Sequence, residues 1–292
     1  MFFPSAGIEC HPLVPFAAAF AVSFFTSMGG ISGAFLLLPF QVSVLGYTAP
    51  SVSATNQLFN VVATPLGVWR FAREGRLLKP LVCTIVCGTL PGVFIGALIR
   101  IYLMPDKETF SVFAGLVLLY IGGKMLLSLR KKTKKAAPKS AASFPKVENI
   151  HRCGSKISYD YDGQNYSFDL PVMLLMAFAV GIAGGAYGVG GGAIISPFIV
   201  SLFGLPVHTI AGATLFATCL TSVSAVLYFA GMDFFVPGLN VAPDYTLGLL
   251  LGLGGMLGIY LGARCQKYVP DRPIKIVLTA ILICTGLSYI LR

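Results

Sequence analysis

The chain has 292 residues, 56% of them hydrophobic and 11% charged, with a mean hydropathy of +0.82, whereas a soluble domain carries roughly 25% charged residues. Such a composition excludes a water-soluble globular enzyme, whose helices keep a polar face. The formal net charge of +10 does not point to nucleic acid, because the basic residues cluster between apolar runs as topogenic charges do.

Residues 13–28 form the first apolar segment, which lacks a basic n-region and a small-residue cleavage site and is therefore expected to stay in the mature chain. It runs into Met28-Gly29-Gly30-Ile31-Ser32-Gly33, and a second segment, 34–46, follows. At 1.5 Å per residue that segment reaches only about 20 Å, too short for a hydrocarbon core of about 30 Å. Segment 51–71 carries Thr55, Asn56, Gln57, Asn60 and Thr64, and the spacing of Asn56, Asn60 and Thr64 puts them on one helix face. Segments 79–103 and 109–128 complete a first membrane repeat, 1–128.

The insert 129–169 opens with Arg130, Lys131, Lys132, Lys134 and Lys135 and reads as a solvated basic linker near anionic headgroups. Over 157–168 large and polar side chains alternate about Asp162-Gly163, which predicts a hairpin pairing Tyr159 with Tyr166 and Ile157 with Phe168. A small cap over the cytoplasmic side is the expected role. The second repeat, 170–292, holds segments 170–186, 193–205, 208–230, 245–268 and 274–291. Its Gly break, Ala186-Tyr187-Gly188-Val189-Gly190-Gly191-Gly192, again precedes a segment too short to span, and Thr209, Thr214, Thr218, Thr221 and Ser222 follow.

Sliding the second half back by 158 positions sets Gly188, Gly191, Pro197, Phe198 and Gly204 on Gly30, Gly33, Pro39, Phe40 and Gly46, and Thr214 on Asn56. Further on the offset becomes 166 and matches Gly92, Gly96, Ala97 and Tyr102 to Gly258, Gly262, Ala263 and Tyr268. The chain is read as a duplication. Arg70, Arg73, Arg76 and Lys79 have no basic counterpart in 231–244, so equivalent loops face opposite sides. Placing these loops, the insert and Arg264, Lys267, Arg272 and Lys275 in the cytoplasm leaves both termini outside and makes each short segment the returning limb of a re-entrant hairpin. The expected fold is all-α: a polytopic membrane protein of two inverted repeats, each with a broken helix pair and three long transmembrane helices.

Unwound backbone at membrane depth needs a protein or water lining, and a helix starting there offers free N–H groups to an anion. Gly29, Gly30, Gly33, Gly188, Gly190 and Gly191, with Asn56, Gln57, Asn60, Thr214 and Thr218, are the candidate substrate-binding residues. Gly92, Gly96, Gly258 and Gly262 read as packing positions between helices. No acidic residue lies within a segment, the seven cysteines lack metal-type spacing, and hydrolase and nucleotide motifs are missing. No catalytic residue, metal or cofactor is therefore expected, and the chain is not read as an enzyme.

The run Gly188-Val189-Gly190-Gly191-Gly192 through Pro197, with Gly204-Leu205-Pro206 and Ala211-Gly212-Ala213-Thr214-Leu215, resembles the TauE/SafE sulfite and sulfonate exporters. A sparser echo lies in Gly29 to Gly33, Pro39 and Asn56, and the resemblance covers both halves but not the insert. It implies a secondary transporter in the cytoplasmic (inner) membrane that moves sulfite, sulfonates, thiosulfate or a related organic anion, driven by an ion gradient with a proton or sodium as candidate coupling ion. An uncoupled anion channel and a carrier of a small carboxylate are the alternatives. The expected partners are the anion and the bilayer, with no nucleic acid.

Overall fold

A helix that is apolar on every side must satisfy its own backbone, because lipid offers no partners. The structure, a computed structural model, describes residues 1–29, 32–73, 77–130, 147–161, 163–265 and 271–291. Gly30, Arg76, the basic stretch 131–146, Asp162 and the loop 266–270 with Lys267 lie outside the described residues.

A two-stranded hairpin, β1 (Phe2–Phe3) and β2 (Ile8–Glu9), precedes α1 (Leu13–Gly29). Then come α2 (Ala34–Pro39), continued by a π-helical turn (Phe40–Val44), α3 (Ser51–Ala63), α4 (Pro65–Arg73), α5 (Lys79–Leu98) with a second π-helical turn (Ile99–Leu103), and α6 (Lys107–Arg130). A three-stranded antiparallel sheet follows, β3 (Glu148–Cys153), β4 (Lys156–Tyr161) and β5 (Gln164–Asp169), with Tyr159 opposite Tyr166 and Ile157 opposite Phe168. The second half is α7 (Leu170–Tyr187), α8 (Gly191–Phe203), α9 (Val207–Asp233), α10 (Tyr245–Cys265) and α11 (Asp271–Ile290). Five described helices are long and apolar enough to cross a membrane, and four shorter apolar ones accompany them. Their outward residues, Leu116, Leu127, Leu175, Leu227 and Leu249 among them, are exposed and apolar, which lipid tolerates and water does not. The chain is a polytopic helical membrane protein.

The packing pattern is two-fold. α1 lies along α10 as α7 lies along α5, α3 meets α10 as α9 meets α5, and α6 meets its counterpart α11. Glycines allow the closest of these contacts: a side chain on Gly92 or Gly96 would strike the backbone of Phe178 or Ile182 in α7, and one on Gly258 or Gly262 the backbone of Phe20 or Phe24 in α1. α8 ends at a left-handed glycine, Gly204 (φ 65°), and its match at the repeat offset, Gly46 (φ 73°), is also left-handed and lies two residues past the π-helical turn that continues α2.

Two elements differ from the sequence reading. Segment 51–71 is not one helix. Pro65 has no N–H for the Val61 carbonyl one turn back, the Thr64 amide and hydroxyl both bond the Asn60 carbonyl, at 3.0 and 2.8 Å, and the chain restarts as α4, none of whose residues is buried. The insert also holds a strand, β3, that alternation does not announce, since all six of its residues are exposed.

Candidate functional site

The second Gly break is where α7 ends and α8 begins. Gly188 (φ 84°) and Gly190 (φ 75°) take left-handed conformations open to glycine at little steric cost, and the amides of Gly188 and Val189 both return to the Gly184 carbonyl at 3.0 Å. The turn is also clamped. A Cβ on Gly188 would lie 2.5 Å from the Ser53 carbonyl oxygen, one on Gly190 2.9 Å from Ser222 Oγ, and one on Gly191 2.5 Å from Thr89 Cβ. No side chain caps α8, so its first amides point into this enclosure without intrahelical partners.

Unwinding frees carbonyls as well as amides, and α3 meets them. Ser53 Oγ donates to Ala186 O (3.0 Å), Asn56 Nδ2 to Gly188 O (3.0 Å), Gln57 Nε2 to Gly184 O (3.4 Å) and Asn60 Nδ2 to Val189 O (3.1 Å). Asn56 Nδ2 also reaches Ala34 O, in the first turn of α2, at 3.1 Å, so the start of α2 and the glycine turn that closes α7 converge on one nitrogen. Gln41, in the first π-helical turn, donates to Asn56 Oδ1 at 3.3 Å, and Ser222 donates to Gln57 Oε1 at 2.7 Å. Tyr187 OH closes the ring on Phe35 O at 2.9 Å.

Of the sequence candidates, Asn56, Gln57, Asn60, Gly188, Gly190, Gly191 and Thr218 come together here, and Ser53, Gln41, Thr89 and Ser222 join them. Thr214 is one turn away, its hydroxyl on Ala211 O at 3.2 Å and its carbonyl taking the Thr218 hydroxyl at 2.9 Å. Gly29 ends α1, and Gly33 packs on Ser23, whose Oγ would lie 2.7 Å from a Cβ there. The amide donors of α3 are thus engaged by backbone carbonyls at the break. The physical reason is that carbonyls released by unwinding in a dry interior take the nearest donors. Two amide oxygens, Asn60 Oδ1 and Gln41 Oε1, are buried without a partner. Asn56, Gln57 and Asn60 are wholly buried, and the clefts lined by Phe25, Leu36 and Ile281 and by Cys83, Arg152 and Leu174 lie elsewhere.

Each end of the bundle has a small β cap. At one, Ser51 Oγ, at the start of α3, donates to Ser5 O in the β1–β2 hairpin at 3.3 Å. At the other, Tyr159 OH pairs with Thr209 Oγ1, near the start of α9, at 2.9 Å. Ser51 and Thr209 are equivalent under the 158 offset. Burial pushes the Tyr159 hydroxyl above its ordinary pKa, opposed by the Thr209 bond, and hydrogen bonds from Asn149 and Asn165 hold the exposed Asp160 carboxyl below its own.

Among the described residues, the buried charged side chains are Asp244, which caps α10 through Leu247 N at 2.9 Å, and Arg100, in the second π-helical turn. Arg100 escapes sequence reasoning because a lone arginine near the end of an apolar segment reads as a flanking charge. The signal was its place three residues inside that segment, followed by Ile101, Tyr102 and Leu103.

A polytopic helical bundle with a glycine break at a buried polar centre fits the polytopic transporters with discontinuous helices. The family described as "Sulfite exporter TauE/SafE" matches residues 15–289, and the chain belongs to that family. It is 27% identical over 205 residues to the "Probable membrane transporter protein YunE" of Bacillus subtilis (strain 168), covering 70% of this chain and 67% of that protein. A "Probable membrane transporter protein" of Haemophilus influenzae is 23% identical over 92% of this chain and 94% of its own length. The "Sulfite exporter TauE/SafE family protein 3" of Arabidopsis thaliana is 28% identical over 56% of this chain and 35% of its own length. No solved structure matches. The chain is thus a membrane transporter of the TauE/SafE type.

Proposed function

We propose that this chain is a secondary carrier moving small anions, sulfite, sulfonates, thiosulfate or a related organic anion, across the cytoplasmic membrane by alternating access. The observation that carries the reading is the convergence of the first turn of α2 and the Gly188 break ahead of α8 on Asn56, which is wholly buried. A carrier must pass through a state shut to both faces, and a fully buried polar centre suits that state. In this reading the second repeat is inverted relative to the first, the basic loops and the insert are cytoplasmic and both termini lie outside.

The α3 amides give the centre its chemistry. In the closed state they donate to break carbonyls; an arriving oxyanion competes for the same N–H groups and for the first amides of α8. Hydrogen bonds to an ionised acceptor are roughly twice as strong as neutral ones, so the exchange favours the bound anion and loosens the break. A proton or sodium ion is the proposed coupling ion.

The test is labelled sulfite in proteoliposomes. A carrier gives saturable uptake and counterflow against unlabelled sulfite. Conductance that rises without saturation identifies a channel and overturns the carrier reading, and transport of a neutral solute with indifference to every anion overturns the substrate class.

A further inference from the structure

The centre just described lacks a full positive charge, and the bundle holds one nearby that nothing else uses. Arg100 is completely buried, and its hydrogen-bond acceptors are all neutral carbonyls. Nη1 donates to Met104 O in its own π-helical turn, Nη2 to Thr48 O and Ala49 O at 3.3 and 3.4 Å, and the guanidinium lies 3.9 Å above the Phe110 ring. Nε has no hydrogen-bond partner among the described residues. Asp106, the acid closest along the chain, caps the next helix through Thr109 N at 2.8 Å and acts on the guanidinium only as a charge through space, without a hydrogen bond. Burying a guanidinium costs several kcal/mol unless a counter-charge and full hydrogen bonding compensate.

The pattern of used and unused donors is directional. A guanidinium forks an oxyanion with Nε–H and the neighbouring Nη2 N–H, two parallel bonds. In Arg100 that edge is empty at Nε and held at Nη2 only by bonds at the long limit of the hydrogen-bond range, while the other edge is anchored firmly to Met104. The two carbonyls on Nη2 belong to the loop joining the first π-helical turn to α3. Tyr47 in the same loop bonds Thr55 Oγ1 at 3.0 Å, and Thr55 adjoins Asn56. The Ser51 end of α3 is therefore shared by Arg100, this loop and the β1–β2 cap, with Asn56 about 8 Å deeper along the helix. π-helical turns are frequent at functional sites, and of the two described here one carries Arg100 and the other Gln41, each with an unfilled hydrogen-bonding position.

We infer that Arg100 is an anion-binding residue at the β1–β2 end of the transport path, taking an oxyanion on its Nε–Nη2 edge when the 45–50 loop withdraws Thr48 and Ala49. The ligand class is a small oxyanion able to accept two parallel N–H bonds, which sulfite and sulfonates both are. The inference rests on the anion-carrier reading and names a second station in it, on the outer side in the proposed orientation.

The test uses the purified full chain with sulfite as probe, reading the thermal stabilisation it produces and the KM and maximal rate of labelled sulfite uptake. Arg100→Gln is expected to weaken apparent sulfite affinity about tenfold or more. Arg100→Lys keeps the charge but loses the fork, and is expected to fall between the two. Arg100→Gln with a lower basal Tm but unchanged sulfite affinity shows that the arginine merely ties loop to helix, and overturns the inference while leaving the carrier reading intact. If Arg100→Gln does not fold, Arg100→Lys decides: affinity equal to the wild type overturns the forked contact. A wild-type chain that no anion stabilises and that takes up no sulfite overturns the carrier reading, and this inference with it.

Discussion

Replacing Asn56 with Leu keeps the approximate volume and removes the nitrogen on which the two halves meet. Gly188 O then loses the donor that lies 3.0 Å from it, in a turn that offers no helical substitute. Ala34 O keeps its intrahelical amide and loses only a second bond of 3.1 Å, and Gln41 Nε2 keeps Leu37 O at 3.3 Å. One orphaned carbonyl costs roughly 1–3 kcal/mol and two lost secondary bonds about 0.5–1.5 each, so Asn56→Leu should destabilise by roughly 2–6 kcal/mol. Asn60→Leu is the internal control. It strips Val189 O of its donor, but it also removes an amide oxygen that is buried without a partner, so its net cost should be about 0–2 kcal/mol. Thermal unfolding of both variants in one detergent gives the ranking, and the double variant should be non-additive because consecutive carbonyls of one turn are involved. Equal losses for the two variants, or an Asn56→Leu chain as stable as the parent, would refute the assignment of the α3 amides to the break.

Three further outcomes follow from the geometry. Gly96→Leu and Gly258→Leu drive a side chain into the Ile182 and Phe20 carbonyls, at a cost above about 3 kcal/mol, whereas Gly123→Leu meets nothing within 4 Å; the monodisperse fraction on size exclusion should collapse for the first two and persist for the third. Tyr159→Phe should cost about 1 kcal/mol, because Thr209 keeps Pro206 O at 2.9 Å, while Tyr159→Ala, at about 3–5 kcal/mol, should undock the sheet and, by freeing the strand backbone, speed tryptic cleavage after the already exposed Arg152 and Lys156. Asp160 has a depressed carboxyl pKa in the fold, so its support for the sheet is complete above the unfolded value of about 3.9 and is lost as pH falls through the lower native value. Hydrogen exchange across 148–169 should accelerate beyond its intrinsic trend over that interval, and Asp160→Asn should abolish the excess.

Much of the architecture is legible because lipid imposes a simple rule. Apolar runs place the helices to within a few residues, and the 158 offset anticipates that Gly46 and Gly204 share a left-handed turn. The kink at Thr64 escapes because proline within an apolar run is common in membrane helices, so Pro65 is ambiguous on sequence alone. β3 escapes because a strand exposed on both faces has no alternation to read. For the site, helical spacing puts Asn56, Asn60 and Thr64 on one face but cannot say what stands opposite. The partners of Asn56 lie at Ala34 and Gly188, and the second is 132 residues away. Arg100 was hidden by the same rule that made the helices plain, since an arginine at a segment's edge is ordinarily a headgroup anchor.

The glycine seams set where the molecule can bend. α7 is seated on α5, and α1 on α10, backbone against side-chain-free backbone, so neither pair can slide without collision. Each seam welds the opening helix of one repeat to the fourth element of the other. In the proposed transport cycle the pieces that swing would accordingly be hybrids of the two repeats read from the sequence, and a cut through the 129–169 connection would sever the chain without separating those parts.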